Sequence, residues 1–232
     1  MKEKSKVEKA LDKVNSKIES FKNYPIPNVT YFDLNPIYRD FSVRWDLTNQ
    51  IIRHVVDQPG LLKTFDYIAC VESRGFIIGS ILAHLWNKGL ILLRSKPGRL
   101  PGKTTIVEHT LEYGDAQMEV QNGTGNVLIF DDVLATGGTA NAAIKLLRKS
   151  GHNPVYSIFI LELAYCKPSL DIKHSSMITY KDNPQSSTKK KSTKKSKSTS
   201  SKPKVTKKKT TKTKKKTVKK KKPAILSVSD EE

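Results

Sequence analysis

Val127-Leu-Ile-Phe-Asp131-Asp132-Val133-Leu-Ala135-Thr136-Gly137-Gly138-Thr139-Ala140 runs from an apolar segment through two acids into a Gly/Thr loop and the start of a helical pattern. Val127 to Phe130 is a short continuous apolar run, as expected of a strand buried on both faces, and Asn141 to Lys149 carries apolar residues at helical spacing. The turn between them falls at a strand's carboxyl end, where open α/β sheets hold their ligands. A helix starting there points unpaired backbone N–H groups at whatever binds. Gly137 and Gly138 let main chain approach a phosphate closely, and Thr136 and Thr139 add uncharged hydrogen bonds. Adjacent carboxylates, Asp131 and Asp132, suit the two hydroxyls of a vicinal diol. The stretch therefore predicts a site for a phosphorylated sugar. A plain strand–turn–helix with capping acids does not account for acids, hydroxyls and glycines falling at one turn.

These residues resemble the phosphoribosyl-pyrophosphate motif of the type I phosphoribosyltransferases, and most closely their adenine branch. Four more segments support the resemblance in the family's order. Pro25-Ile-Pro-Asn-Val-Thr30-Tyr31-Phe32-Asp33-Leu-Asn-Pro36 is similar to the family's opening segment, and Val71-Glu72-Ser73-Arg74-Gly75-Phe76 to its second loop. Arg94 to Gly102 looks like its basic loop, and His109-Thr-Leu-Glu112-Tyr113-Gly114 like its catalytic lid. Together they cover roughly residues 5 to 181. Two departures stand out: Phe32 replaces a common arginine, and Ser95 is an extra residue in the basic loop. Both bear on base choice and rate, and neither touches the sugar–phosphate segment.

The resemblance implies transfer of phosphoribose from phosphoribosyl pyrophosphate to adenine, giving AMP and pyrophosphate with inversion at the anomeric carbon. Charge builds on the departing pyrophosphate and the ribose ring, so cations are needed on one side and fixed acceptors on the other. The implied sugar–phosphate site is Asp131, Asp132, Ala135, Thr136, Gly137, Gly138 and Thr139, with Arg74, Arg94, Lys96 and Arg99 on the phosphates. Tyr31 and Val133 are expected to enclose adenine while the backbone of Thr30 meets its edge. Glu112 is the implied acceptor of the base's imidazole proton, with Tyr113 beside it, in a lid bounded by Gly102 and Gly114. Magnesium is expected to bind chiefly through the substrate's oxygens, with no dedicated protein ligands, and the family implies a homodimer. Taken singly, Arg94, Lys96 and Arg99 also fit a solvated loop, Tyr31 a core aromatic, and Glu112 an exposed acid in a hairpin.

The rest of the chain alternates helix and strand patterns. Val7, Leu11, Val14, Ile18 and Phe21 predict one amphipathic helix before Pro25, and Asp46 to Val56 another. Tyr67 to Val71 reads as a buried strand, Phe76 to Trp86 as a helix, Leu90 to Leu93 and Val155 to Leu163 as strands. Thr104 to His109 and Ala116 to Val120 suggest a two-stranded excursion. The expected fold is α/β: a parallel-dominated sheet flanked by helices, with a small hood and a disordered basic tail.

Composition divides the chain after Lys181. Lys189 to Lys222 holds 19 Lys and no acid, and residues 182–232 hold 19 of the 42 basic residues and 4 of the 22 acids. Residues 1–181 keep 23 bases against 18 acids, a balance of +5, and are expected to form one domain. A Lys/Ser/Thr tail has too few apolar groups to offset ordering entropy. Its charge fits non-specific nucleic-acid binding, and without aromatics it offers no base stacking. The expected location is the cytoplasm, and Lys207-Lys-Lys and Lys219 to Lys222 also fit nuclear targeting. No apolar run approaches the ~20 residues of a membrane span, and no Cys/His cluster has zinc-ligand spacing. Cys70 reads as a small core residue in a reducing compartment. A second function class is a non-catalytic regulator that binds phosphoribosyl pyrophosphate and holds nucleic acid through the tail; the lid carboxylate argues for the enzyme.

Overall fold

A computed structural model describes residues 5–111 and 114–183; Glu112, Tyr113 and the segment 184–232, with its expected disordered tail, lie outside the described residues. Ser5 caps the first helix, α1 (Lys6–Asn15), by accepting the Glu8 N–H while the Glu8 carboxylate accepts its own. The expectation of one helix through Phe21 is corrected here. α1 stops at Asn15, and Glu19–Lys22 forms β1, antiparallel to β2 (Thr30–Asp33) with Phe21 opposite Tyr31. Main-chain pairing wins because Phe21 is 47% exposed, so a longer helix would gain little burial from it.

Two helices that the spacing did not bound correctly follow. α2 (Asn35–Arg39) was not expected, and α3 (Phe41–Val56) begins before Asp46 because the Asp40 carboxylate accepts the Val43 N–H and starts it early. β3 (Tyr67–Val71), α4 (Gly75–Leu85) and β4 (Gly89–Leu93) come next, then the hairpin β5 (Thr104–Leu111) and β6 (Gly114–Gln121). β7 (Gly125–Leu134), α5 (Gly138–Lys149), β8 (His152–Leu163) and β9 (His174–Tyr180) complete the described chain. β7 continues through the acids to Leu134, and β9 had no counterpart among the sequence expectations.

The main sheet has five strands in the order β4-β3-β7-β8-β9, all parallel. Alternation along the strands divides the core. Ile68 and Cys70 of β3 and Leu128 and Phe130 of β7 share one cluster with Val43, Leu47 and Ile51 of α3 and Ile78 and Leu82 of α4. Their neighbours Ala69, Val71, Val127 and Ile129 face the other way, onto Ala143, Ile144 and Leu147 of α5 and Val107, Met118 and Val120 of the hairpin. A continuous apolar run in the sequence is thus two interleaved faces. Cys70 is fully buried, and burial pushes its thiol up to about 12.

The strand order places the site. From β3 the chain crosses to β4 on one side, and β7 pairs on the other, so the order reverses between β3 and β7. Crevices of parallel sheets open at such reversals, beyond the strands' carboxyl ends. Among the described residues no helix is long and apolar enough to cross a membrane.

Candidate active site

β7 is apolar on both faces up to Phe130, which anchors Asp131 and Asp132 at the reversal point. Asp132 is 3% exposed; its Oδ2 lies 2.8 Å from Arg74 Nε and 3.4 Å from the Tyr38 hydroxyl, and its N–H donates to Asp131 Oδ1 at 2.8 Å. Burial, then the neighbouring Asp132 charge, raises the Asp131 pKa well above the usual carboxylate range. Burial also raises that of Asp132, while the Arg74 guanidinium opposes the rise.

Past Leu134 the loop reaches Gly137, whose φ of +93° is left-handed and whose place at the start of α5 is free of any side-chain cap. A Cβ on Gly137 would stand 3.0 Å from Leu170 Cδ2 and 3.2 Å from the Ser169 carbonyl, so glycine fits both the backbone angle and the space. The first-turn N–H groups of α5 have no partners within the helix, which makes that end an anion-binding position.

Arg74 ends the neighbouring β3 loop and begins α4. Besides Asp132, it donates from NH1 to the Tyr31 hydroxyl at 2.8 Å and to the Phe32 carbonyl at 3.2 Å, and its guanidinium lies 5.1 Å over the Tyr31 ring. Gly75 brings the two loops together: a Cβ there would stand 2.9 Å from the Phe130 carbonyl and 3.3 Å from Asp131 Oδ1.

These groups face one cavity of about 620 Å³, lined by Thr30, Tyr31, Arg74, Asp131, Asp132, Val133 and Ala135 to Thr139. Eleven expected site residues are therefore brought together. Arg94, Lys96 and Arg99 are not among the lining residues. Arg94 NH2 lies 3.2 Å and Arg99 NH1 4.0 Å from Glu72 Oε1, so both are directed at that acid in the second loop. Ser95, the extra residue, donates its N–H at 2.6 Å and its hydroxyl at 2.8 Å to Glu72 Oε2. Burial works against the Glu72 carboxylate, but the Ser95 bonds and the two arginines hold its pKa below the ordinary value. Phe32 is a core residue, edge-on to Tyr180 with ring centroids 5.5 Å apart. The family arginine's place is thus taken by packing.

Sequence reasoning missed Tyr38 and gave Glu72 no role. Tyr38 sits on a five-residue helix with no periodic signal, and its hydroxyl meets Asp132 across a separation of 94 residues in the sequence. Glu72 stood inside a quoted motif, and its excess of nearby cations at Arg94 to Arg99 was the available clue.

Among the described residues no group of three His, Cys, Asp or Glu could hold a metal alone. The donor set that does fit magnesium is hard oxygen: the Asp131 and Asp132 carboxylates beside space for a ligand's own oxygens.

Known proteins give the same picture. Residues 46–167 match the phosphoribosyl transferase domain family. The chain is 41% identical over 154 residues to the adenine phosphoribosyltransferase of Nitrosopumilus maritimus, covering 65% of this chain and 87% of that protein. It is 40% identical over 156 residues to that of Desulforamulus reducens, covering 64% and 86%. Among solved structures, the Saccharomyces cerevisiae adenine phosphoribosyltransferase, complexed with an imino-altritol bisphosphate and adenine, aligns with a TM-score of 0.67 at 28% identity. The alignment covers 73% of this chain and 99% of the yeast chain. The Giardia lamblia enzyme complexed with 9-deazaadenine aligns at 0.66 with 27% identity, covering 77% and 100%. None of these relatives supports the non-catalytic regulator.

Proposed function

The chain belongs to the phosphoribosyltransferase family, alongside the adenine phosphoribosyltransferases, and on that premise we propose that it salvages adenine by converting it with phosphoribosyl pyrophosphate to AMP and pyrophosphate. The observation that carries this reading is the convergence of two loops on one cavity: carboxylates and a helix start from β7–α5, a guanidinium from β3–α4, and Tyr31 from β2.

Asp131 and Asp132 accept the ribose hydroxyls. Ala135 to Thr139 wrap the 5-phosphate with main-chain N–H groups and the Thr136 and Thr139 hydroxyls. Arg74 meets the pyrophosphate, with Lys96 approaching from the basic loop and Arg94 and Arg99 leaving Glu72 to join it. Tyr31 and Val133 sandwich adenine, and the Thr30 backbone reads its edge. As the ribose carbon parts from pyrophosphate oxygen and bonds to the base nitrogen, Glu112 takes that nitrogen's proton, with Tyr113 beside it. Asp131 and Asp132 are the hard-oxygen side chains that would help hold a magnesium ion brought in mainly on the substrate's own oxygens, and such an ion would supply positive charge against the departing pyrophosphate.

The working form is a homodimer in this reading. Support comes from exposed apolar groups on two packed helices: Phe41 at 69%, Trp45 at 54% and Val56 at 59% on α3, with Ile77 and Leu85 exposed on α4. Residues 1–181 serve as the enzyme domain in the cytoplasm, and 182–232 as a basic tail that binds nucleic acid and fits nuclear targeting.

The test is release of pyrophosphate by the full chain with magnesium, phosphoribosyl pyrophosphate and, in turn, adenine, hypoxanthine, guanine, uracil or orotate. Adenine alone is expected to turn over at a high rate. Turnover of another base in preference to adenine, or of none, overturns the assignment.

A further inference from the structure

Arg74 is committed twice within the cavity. Its Nε is 2.8 Å from Asp132 Oδ2, the acid assigned to ribose, and its NH1 donates at 2.8 Å to the hydroxyl of Tyr31, the ring assigned to adenine. The guanidinium also lies 5.1 Å over the Tyr31 ring, and the same NH1 reaches the Phe32 carbonyl at 3.2 Å. One cation therefore ties the base side of the cavity to the sugar side. Tyr24, which also lines the cavity, meets the Tyr31 ring edge-on, with ring centroids 5.2 Å apart at 71°. Burial raises the Tyr31 pKa while Arg74 opposes the rise, so the hydroxyl remains a neutral acceptor near pH 7.

Every donor that Arg74 spends on Tyr31 and Asp132 is one that a pyrophosphate has to win. We propose that Tyr31 is a positioning residue for Arg74: its hydroxyl and ring hold the guanidinium against Asp132, and phosphoribosyl pyrophosphate frees both Tyr31 and Asp132 by drawing Arg74 onto its own oxygens. The inference rests on the site reading above and adds a link between the two substrates. Occupation of the phosphate side releases the aromatic face that stacks the base, and by reciprocity the base favours the phosphate.

The Tyr31→Phe variant separates the hydroxyl from the ring. It keeps the surface for adenine and removes the acceptor that holds NH1. Phosphoribosyl pyrophosphate with magnesium, titrated calorimetrically without any base so that nothing turns over, is expected to bind this variant roughly three- to tenfold tighter than wild type, the worth of one charge-assisted bond partly replaced by water. Adenine, titrated with and without magnesium pyrophosphate, is expected to gain affinity from pyrophosphate in wild type and to gain several-fold less in Tyr31→Phe. General damage to the site would loosen binding, so tightening is a signature that a merely structural tyrosine does not give. Equal or weaker binding of phosphoribosyl pyrophosphate by Tyr31→Phe, with wild type binding normally, overturns this inference and leaves the site reading intact. Failure of wild type to bind it at all overturns both.

Discussion

Asp132 balances Arg74, and in the proposed site it also accepts a ribose hydroxyl, two jobs that a neutral isostere cannot share. Asp132→Asn is therefore expected to raise KM for phosphoribosyl pyrophosphate by about tenfold or more, since one charge-assisted bond is worth roughly 1.5–3 kcal/mol. Steady-state kinetics on a variant with a native circular-dichroism spectrum decides this; an unchanged KM removes Asp132 from the sugar site. Glu112 is expected to act on the barrier instead. Glu112→Ala should lower kcat by about 10²–10⁴ with little change in substrate affinity, as loss of a general base does. If kcat holds and KM rises, the residue binds and does not take the proton. At this scale the sequence disclosed the groups with a motif around them, such as the acid pair and Arg74. It hid their partnerships, because Arg74 meets Asp132 only once β3 and β7 are neighbours, and Tyr38 joins them from a helix too short to show a period.

Between elements, histidines tie helices and strand ends into the sheet. His54 of α3 shares Nε2 with the Ser175 hydroxyl of β9 at 2.7 Å and the Gln58 amide at 2.8 Å, and His152 at the start of β8 pairs through Nδ1 with Ser150 at 2.9 Å. Burial lowers both pKa values below the ordinary one. The unfolded chain then takes up protons first as pH falls, so this contribution is intact above about pH 6.5 and is lost as pH drops through the lowered folded values. Thermal melts from pH 7.5 down to 5 are expected to show a falling Tm that flattens in the double variant His54→Gln, His152→Gln. An equally steep fall in that variant assigns the acid sensitivity elsewhere. The same tie explains what was hard to read. β3 and β7 announced themselves because both faces are apolar, whereas β9, with Ser175 and Ser176 at its start, is only half-buried at the sheet's edge. β1 was lost inside a helical period because Phe21 obeys the spacing without being buried.

For the whole molecule, charge and apolar surface set the partners. Removing residues 182–232 takes away 19 of the 42 bases and should leave turnover unchanged while abolishing retention on DNA or RNA at low salt. Equal retention of the full and shortened chains rules out the tail as the binding element. Trp45→Glu, placed on the exposed face of α3, is expected to shift the sedimenting species from dimer to monomer; a wild type that already sediments as a monomer refutes the dimer. The close approach at Gly75 has a different kind of consequence. There α4 meets the Phe130 carbonyl and Asp131 with no side chain of its own between them. The gap between the loop proposed to grip ribose and the loop proposed to grip pyrophosphate is thus gauged chiefly by main chain, with Asp131 Oδ1 beside it, like the jaws of a caliper set metal to metal. Side-chain substitutions in the surrounding core can soften or stiffen the protein, but they have little purchase on that gauge, and so the span across which the glycosidic bond is exchanged can stay constant while the rest of the sequence drifts.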